Sequence, residues 1–108
     1  MDNAEKIKKY KFFQELKKLP FVKSIILYGS RAKNINMSRS DIDLGINLDV
    51  RKNHPISNTD WFEIMDIIDK ADTLLKIDCI NINELSIDNP LRESILKNGI
   101  VLYEKSQE

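Results

Sequence analysis

Eight residues, Asp41-Ile42-Asp43-Leu44-Gly45-Ile46-Asn47-Leu48, alternate polar and apolar without a break. That period of two belongs to a β-strand, whose successive side chains take opposite faces. A slip of one residue would turn all four apolar side chains to the wrong side, so the pattern pins a strand with one buried face. The other face carries Asp41 and Asp43, and Gly45 on it leaves room for a ligand or backbone to approach. The two carboxylates then stand roughly 6–7 Å apart and repel each other unless a cation lies between them. A divalent metal meets that need, and Mg²⁺ prefers one or two carboxylates together with substrate phosphates.

Ten residues separate Asp41 from the pair Gly29-Ser30, which follows the β-branched run Val22-Lys23-Ser24-Ile25-Ile26-Leu27-Tyr28. A glycine turn with a free hydroxyl offers close backbone N–H groups and a donor for phosphate oxygens. A third carboxylate, Asp78, interrupts the apolar run Lys76 to Ile82. Charged and unpaired in such a strand it would be costly, so it either pairs with a lysine or backbone N–H or joins the other two acids. In the second case two metal ions ~3.5–4 Å apart could clamp an in-line displacement. Asp78 would also be placed to take the proton of an attacking hydroxyl.

The rest of the chain reads as helices and strands in turn. Residues 3–18 predict one helix, with Ile7, Tyr10, Phe13 and Leu16 on its apolar stripe and Pro20 closing it. Ser30 to Lys33 predict the start of a short helix whose amino end adds positive potential near the phosphate position. Residues 34–40 and 49–57 are polar loops. Asn58 to Leu75 predicts the longest helix, capped within Ser57 to Thr59, with Asp66, Asp69 and Asp72 on a solvated face. Asn89-Pro90 opens a last helix that Gly99 ends, before a strand over Ile100 to Tyr103. The order α-β-α-β-α-β-α-β predicts an α/β fold, a mixed β-sheet with helices packed mainly on one face.

Length and composition narrow the classes. At 108 residues, 42% of them hydrophobic and 31% charged, the chain suits a single domain over 1–108 with its own core. Neither a membrane-length apolar run nor a signal-peptide core is present, so a cytoplasmic protein is expected. One cysteine, Cys79, forbids an intrachain disulfide, and its apolar neighbours predict a buried thiol. With a single histidine, His54, a Cys/His zinc site is ruled out, and Ser30 lacks a neighbouring base for nucleophilic hydrolysis. No Gly-x-x-x-x-Gly-Lys string exists for a P-loop. Residues 1–39 hold ten Lys or Arg against three acids, whereas 40–108 hold seven against fourteen. A basic first helix of this kind is either solvated or meets an anionic partner surface.

The string Leu27-Tyr28-Gly29-Ser30-Arg31-Ala32-Lys33, followed by Ser40-Asp41-Ile42-Asp43-Leu44, resembles the signature of the polymerase β-type nucleotidyltransferases. The likeness is greatest to their minimal (MNT) members and extends to the closing Gly99-Ile100-Val101-Leu102-Tyr103. It implies a palm-like fold, with Gly29 and Ser30 binding a nucleoside triphosphate. It makes Asp41 and Asp43 metal ligands with Asp78 as third carboxylate, all three catalytic, and Mg²⁺ and ATP the expected cofactor and substrate. Arg31 stands at an often basic position and would contact phosphate, as a guanidinium suits it. Asn34 stands where many relatives have glycine.

MNT relatives are commonly encoded beside a helical HEPN ribonuclease and neutralise it by transferring AMP to a tyrosine. The resemblance therefore implies an antitoxin with a HEPN-type partner; direct nucleic-acid binding is not expected. Two other readings remain at this stage. The chain could inhibit its partner by binding alone, or could modify a small molecule, although 108 residues leave little surface for an acceptor domain.

Overall fold

The computed structural model describes residues 2–49 and 58–106. Within them lie α1 (Asn3–Lys8), α2 (Lys11–Lys18), β1 (Val22–Tyr28), β2 (Ile42–Leu48), α3 (Asn58–Asp69), β3 (Ile77–Asn81), α4 (Pro90–Asn98) and β4 (Ile100–Glu104). A 3-10 turn, Ile82–Glu84, follows β3. The four strands form one sheet in the order β3-β2-β1-β4. β1 runs antiparallel to both β2 and β4, while β2 and β3 are parallel. The sheet is mixed, as the order of elements predicts. A parallel pair needs a long crossover, and α3 lies within the one joining β2 to β3.

The larger core lies between one sheet face and helices α1 to α3. Ile42, Leu44, Ile46 and Leu48 all bury there against Phe12, Phe13, Leu16, Ile64 and Ile68. The alternating pattern of β2 is thus obeyed side chain by side chain. The opposite face departs from expectation at Gly45. Ile26, Ile82 and Ile95 form a second small core over it. A Cβ at Gly45 would lie 3.0 Å from Ile82 Cδ1 and 3.1 Å from Ile95 Cγ2. Gly45 therefore admits α4 and the 3-10 turn rather than a ligand, because two isoleucines occupy the space that a side chain would need.

Three further boundaries differ from the sequence reading. The first helix is two, since Tyr10 is extended (φ −68°, ψ 146°) and serves as N-cap of α2. The cause lies 60 residues away: the Asp72 carboxylate accepts the Lys11 N–H at 2.9 Å and the Phe12 N–H at 3.1 Å. A carboxylate there satisfies donors that a helix start leaves open and lies at the favourable end of its dipole. These same N–H groups hold the Asp72 carboxyl below its ordinary value, Lys11 contributing most. Asp72 is therefore exposed, as expected, but acts as a cap supplied to α2 from beyond α3, which stops at Asp69 instead of running to Leu75.

Ser30 to Lys33 form turns instead of a helix, with Lys33 N–H on Gly29 O and Ile35 N–H on Ser30 O. The helix-end potential expected there is accordingly missing. Asn89 caps α4 by accepting from Leu91 N–H at 2.9 Å, and Gly99 closes it, as read from the sequence. Cys79 packs partly buried against the larger core, where burial pushes its thiol up to about 12. His54 and the capping residue Ser57 lie outside the described residues. Among the described residues no helix is long and apolar enough to cross a membrane.

Gly45→Val should lower unfolding free energy by about 1–3 kcal/mol, the usual range for overpacking. Urea denaturation checks this, with the loss traced to α4 lifting from the sheet by faster amide exchange in Arg92 to Lys97.

Candidate active site

β1 ends at Tyr28, which pairs across the ladder with Asp43; Asp43 in turn pairs with Asp78 on β3. Residues paired across adjacent strands point to the same face, so one row crosses three strands: Tyr28, Asp43, Asp78. This is the face not covered by α1 to α3. The chain then leaves the sheet at Gly29 with φ +76°, a left-handed conformation suited to glycine. A Cβ at Gly29 would collide with the Asp43 carboxylate oxygen Oδ2. The turn backbone is thus packed directly against the carboxylate, and only a residue without a side chain allows it.

The acids influence one another. The Asp43 carboxyl is pushed above its ordinary value by burial first, then by the Asp78 and Asp41 charges and a hydrogen bond with Asp78, while Lys76 opposes the rise. Lys76 Nζ lies 3.5 Å from Asp78 Oδ1, with the two side chains 71% and 42% exposed. Such an exposed pair contributes little to stability, but it places one cation beside two carboxylates. The Tyr28 hydroxyl is pushed up to about 12, by burial and then by Asp43, Asp78 and Cys79, so it remains a proton-bearing donor near neutral pH. In the sequence Tyr28 is read only as the end of a strand and part of the signature string, and Lys76 only as the start of another strand. Only the strand pairing brings them to the acids.

Asp41 precedes β2 and is held from both sides. Ile42 N–H donates to Lys76 O at 2.9 Å, and Ser40 N–H donates to Met37 O at 3.1 Å. A cleft of about 500 Å³ on its flank is lined by Arg39, Asp41, Leu74, Leu75 and Lys76. Among the described residues no group of three His, Cys, Asp or Glu side chains stands in a ready-made metal-binding arrangement. The cross-strand pair Asp43 and Asp78, with Asp41 also acting on Asp43, nonetheless suits a hard divalent ion. Mg²⁺ takes few protein oxygens and fills its shell with water and phosphate. A carboxyl pushed upward by burial and then by neighbouring acids is one whose charged form a cation would favour.

Arg31 is placed differently from the expectation that it contacts phosphate. Its side chain is buried, and its guanidinium donates to Ser40 O (2.8 and 3.1 Å), Ser38 O (3.3 Å) and Asn3 Oδ1 (3.2 Å). Those donors are committed to the 34–40 loop and to α1 and are not presented beside the Gly-Ser turn. Asn34 has φ 58°, left-handed backbone that asparagine tolerates better than most residues. That explains how it can stand where many relatives have glycine.

The fold and this row of acids define a nucleotidyltransferase domain. The chain belongs to the family described as polymerase beta, nucleotidyltransferase, whose pattern matches residues 5–108. Among solved structures it is similar to a toxin–antitoxin with AMP-PNP, at TM-score 0.63 and 20% identity over 97% of this chain and 76% of that one. It is also similar to a mutant of the toxin–antitoxin MntA–HpeT, at TM-score 0.60 and 18% identity over 97% and 75%. No curated protein sequence matches.

The raised Asp43 carboxyl has a consequence for stability. Its folded value lies above its unfolded one, so its stabilising contribution is complete below the ordinary carboxylate range. That contribution is lost as pH rises through the raised folded value. Asp43→Asn should therefore melt above wild type near pH 7 in chelator, by about 1 kcal/mol for one relieved like-charge contact near water screening. The difference should shrink toward pH 4, as thermal melts across that range would show.

Proposed function

We propose that this chain is a Mg²⁺-dependent nucleotidyltransferase that passes AMP from ATP to a tyrosine of a HEPN-type partner toxin, acting as its antitoxin. The observation that carries the catalytic part is the contact of the Gly29 turn with Asp43, itself paired with Asp78. A phosphate held by the turn lies against two carboxylates, which is where a metal–phosphate contact has to form. The neighbours with a toxin, one of them with AMP-PNP, support the choice of partner and nucleotide.

Each residue then has a task. Backbone N–H groups at Gly29 and Ser30, with the Ser30 hydroxyl, hold the triphosphate and orient its α-phosphorus. Asp41 and Asp43 hold the cation, with Asp78 completing the set. When bound, the divalent ion supplies positive charge to the phosphate oxygens and the leaving group. The acceptor hydroxyl oxygen bonds to the α-phosphorus as the bond to the β-phosphate oxygen breaks, and pyrophosphate leaves. Asp78 accepts the hydroxyl proton, since it stands in the acid row and its side chain is 42% exposed to an incoming group. The cleft beside Asp41 gives an acceptor side chain a route to that point.

Co-expression of this chain with the protein of the adjacent gene, followed by intact-mass measurement, tests the reading. Wild type should add a nucleotide-sized mass, an adenylyl group if ATP is the donor, and Asp43→Asn should lower transfer on the order of a thousandfold or more. A stable complex with no mass added in either case would replace catalysis by inhibition through binding. No complex and no addition would point to a small-molecule acceptor.

A further inference from the structure

The most heavily hydrogen-bonded polar cluster among the described residues lies beside the acid row, not in it. Asn3, in the first turn of α1, places its amide nitrogen, with two hydrogens to share, 2.9 Å from Arg31 O, 3.1 Å from Asn34 Oδ1 and 2.7 Å from Asn36 Oδ1. Its amide oxygen accepts from Arg31 Nη1. Arg31 turns the other side of its fork, Nε and Nη2, on Ser40 O and Ser38 O. The Ser40 hydroxyl closes the loop on itself by accepting Met37 N–H at 2.8 Å. Both ends of the 34–40 loop are therefore tied to one guanidinium and one amide.

We propose that Arg31 and Asn3 are positioning residues that set Asp41 by clamping the loop that delivers it to the acid row. The inference rests on the transferase reading for its kinetic consequence, but its structural part stands alone. Asp41 lies between two fixed points: the Ser40 carbonyl, held by Arg31, and Ile42, whose N–H is bound to Lys76 O. Without the first, the loop side of Asp41 is held only by the local Ser40–Met37 bonds, which do not anchor the loop to the rest of the fold. The clamp also explains why an arginine sits two residues after the Gly29 turn without reaching toward it. A planar fork can bridge Ser40 and Asn3 at once, whereas a lysine ammonium is a single point that cannot hold both. The residues are drawn from α1, the turn region and the loop, so the clamp couples the basic amino-terminal segment to the acid row.

The test uses the full chain as wild type, Arg31→Lys, Asn3→Ala and the double variant. Limited trypsin digestion reports the loop directly, because exposed Lys33 and Arg39 bracket it and Arg31→Lys adds no new cleavage specificity. Calorimetric titration with Mn²⁺ reports Asp41 without any turnover. Arg31→Lys should speed cleavage at Arg39 and weaken Mn²⁺ on the order of tenfold, as lost outer-shell support does. With the acceptor from the co-expression experiment, kcat should fall on the order of ten- to hundredfold with KM for ATP nearly unchanged. Asn3→Ala should act in the same direction, and the double variant should fall short of the summed effects.

A rise in KM with kcat and cleavage unchanged would overturn the proposal and make Arg31 a phosphate contact. Unchanged cleavage and Mn²⁺ binding in both single variants would overturn it as well. If Arg31→Lys does not fold, Asn3→Ala decides. If wild type transfers nothing, the transferase reading fails, while cleavage and Mn²⁺ binding still decide the clamp.

Discussion

The β2 strand is hydrogen-bonded along both edges, antiparallel to β1 and parallel to β3, and the acid row exists because of that double pairing. Strand neighbours lie about 4.8 Å apart in the hydrogen-bonding direction. Two carboxylates placed opposite each other on adjacent strands are therefore kept near one another despite their mutual repulsion. Burial of Ile42, Leu44, Ile46 and Leu48 on the other face holds the register, since any slip would expose all four. The larger core thus works against the electrostatics of the site, and it wins because hydrophobic burial of four side chains exceeds one partly screened like-charge contact.

That contest leaves like charges held close together, as the proposed cation site requires. Asp43 is raised by burial and by two other acids, and Lys76 offsets this only in part. Lysine beside Asp78 lies largely exposed, so it can move aside when a stronger cation arrives. Gly29 adds the complementary half, a backbone turn close enough to the carboxylate that phosphate and metal would meet there. Geometry that would be poor as pure architecture is suited to a charged ligand, a common pattern at functional sites.

Parts of this were legible in the chain itself. The alternation of β2 is strict, and its buried face followed side chain by side chain. The Asn89-Pro90 start and Gly99 end of α4 were equally plain, because capping and proline geometry are local. What differed was decided at a distance. The break between α1 and α2 depends on Asp72, which reads as one more surface acid in its own helix. Gly45 read as an opening for ligand because nothing nearby in sequence reveals that Ile82 and Ile95 fold over it. Arg31 suggested a phosphate contact because its neighbours are Gly29 and Ser30; its partners, Asn3 and Ser40, become visible only when α1 and the loop are packed together.

By itself the sequence determined the strand that carries Asp43, with Asp41 just ahead of it, the turn at Gly29-Ser30, and the family signature that they resemble. The first two are properties of short-range periodicity and of residue chemistry, which need no knowledge of the rest of the chain, and the third is a likeness to a known motif. Only the tertiary structure decided that β3 lies parallel beside β2 in the register that sets Asp78 against Asp43. It also decided that Tyr28 and Lys76 join them, and that Arg31 faces the loop. Such pairings depend on the relative free energies of whole packed arrangements, in which elements far apart in sequence compete for one buried face. No local pattern carries that information.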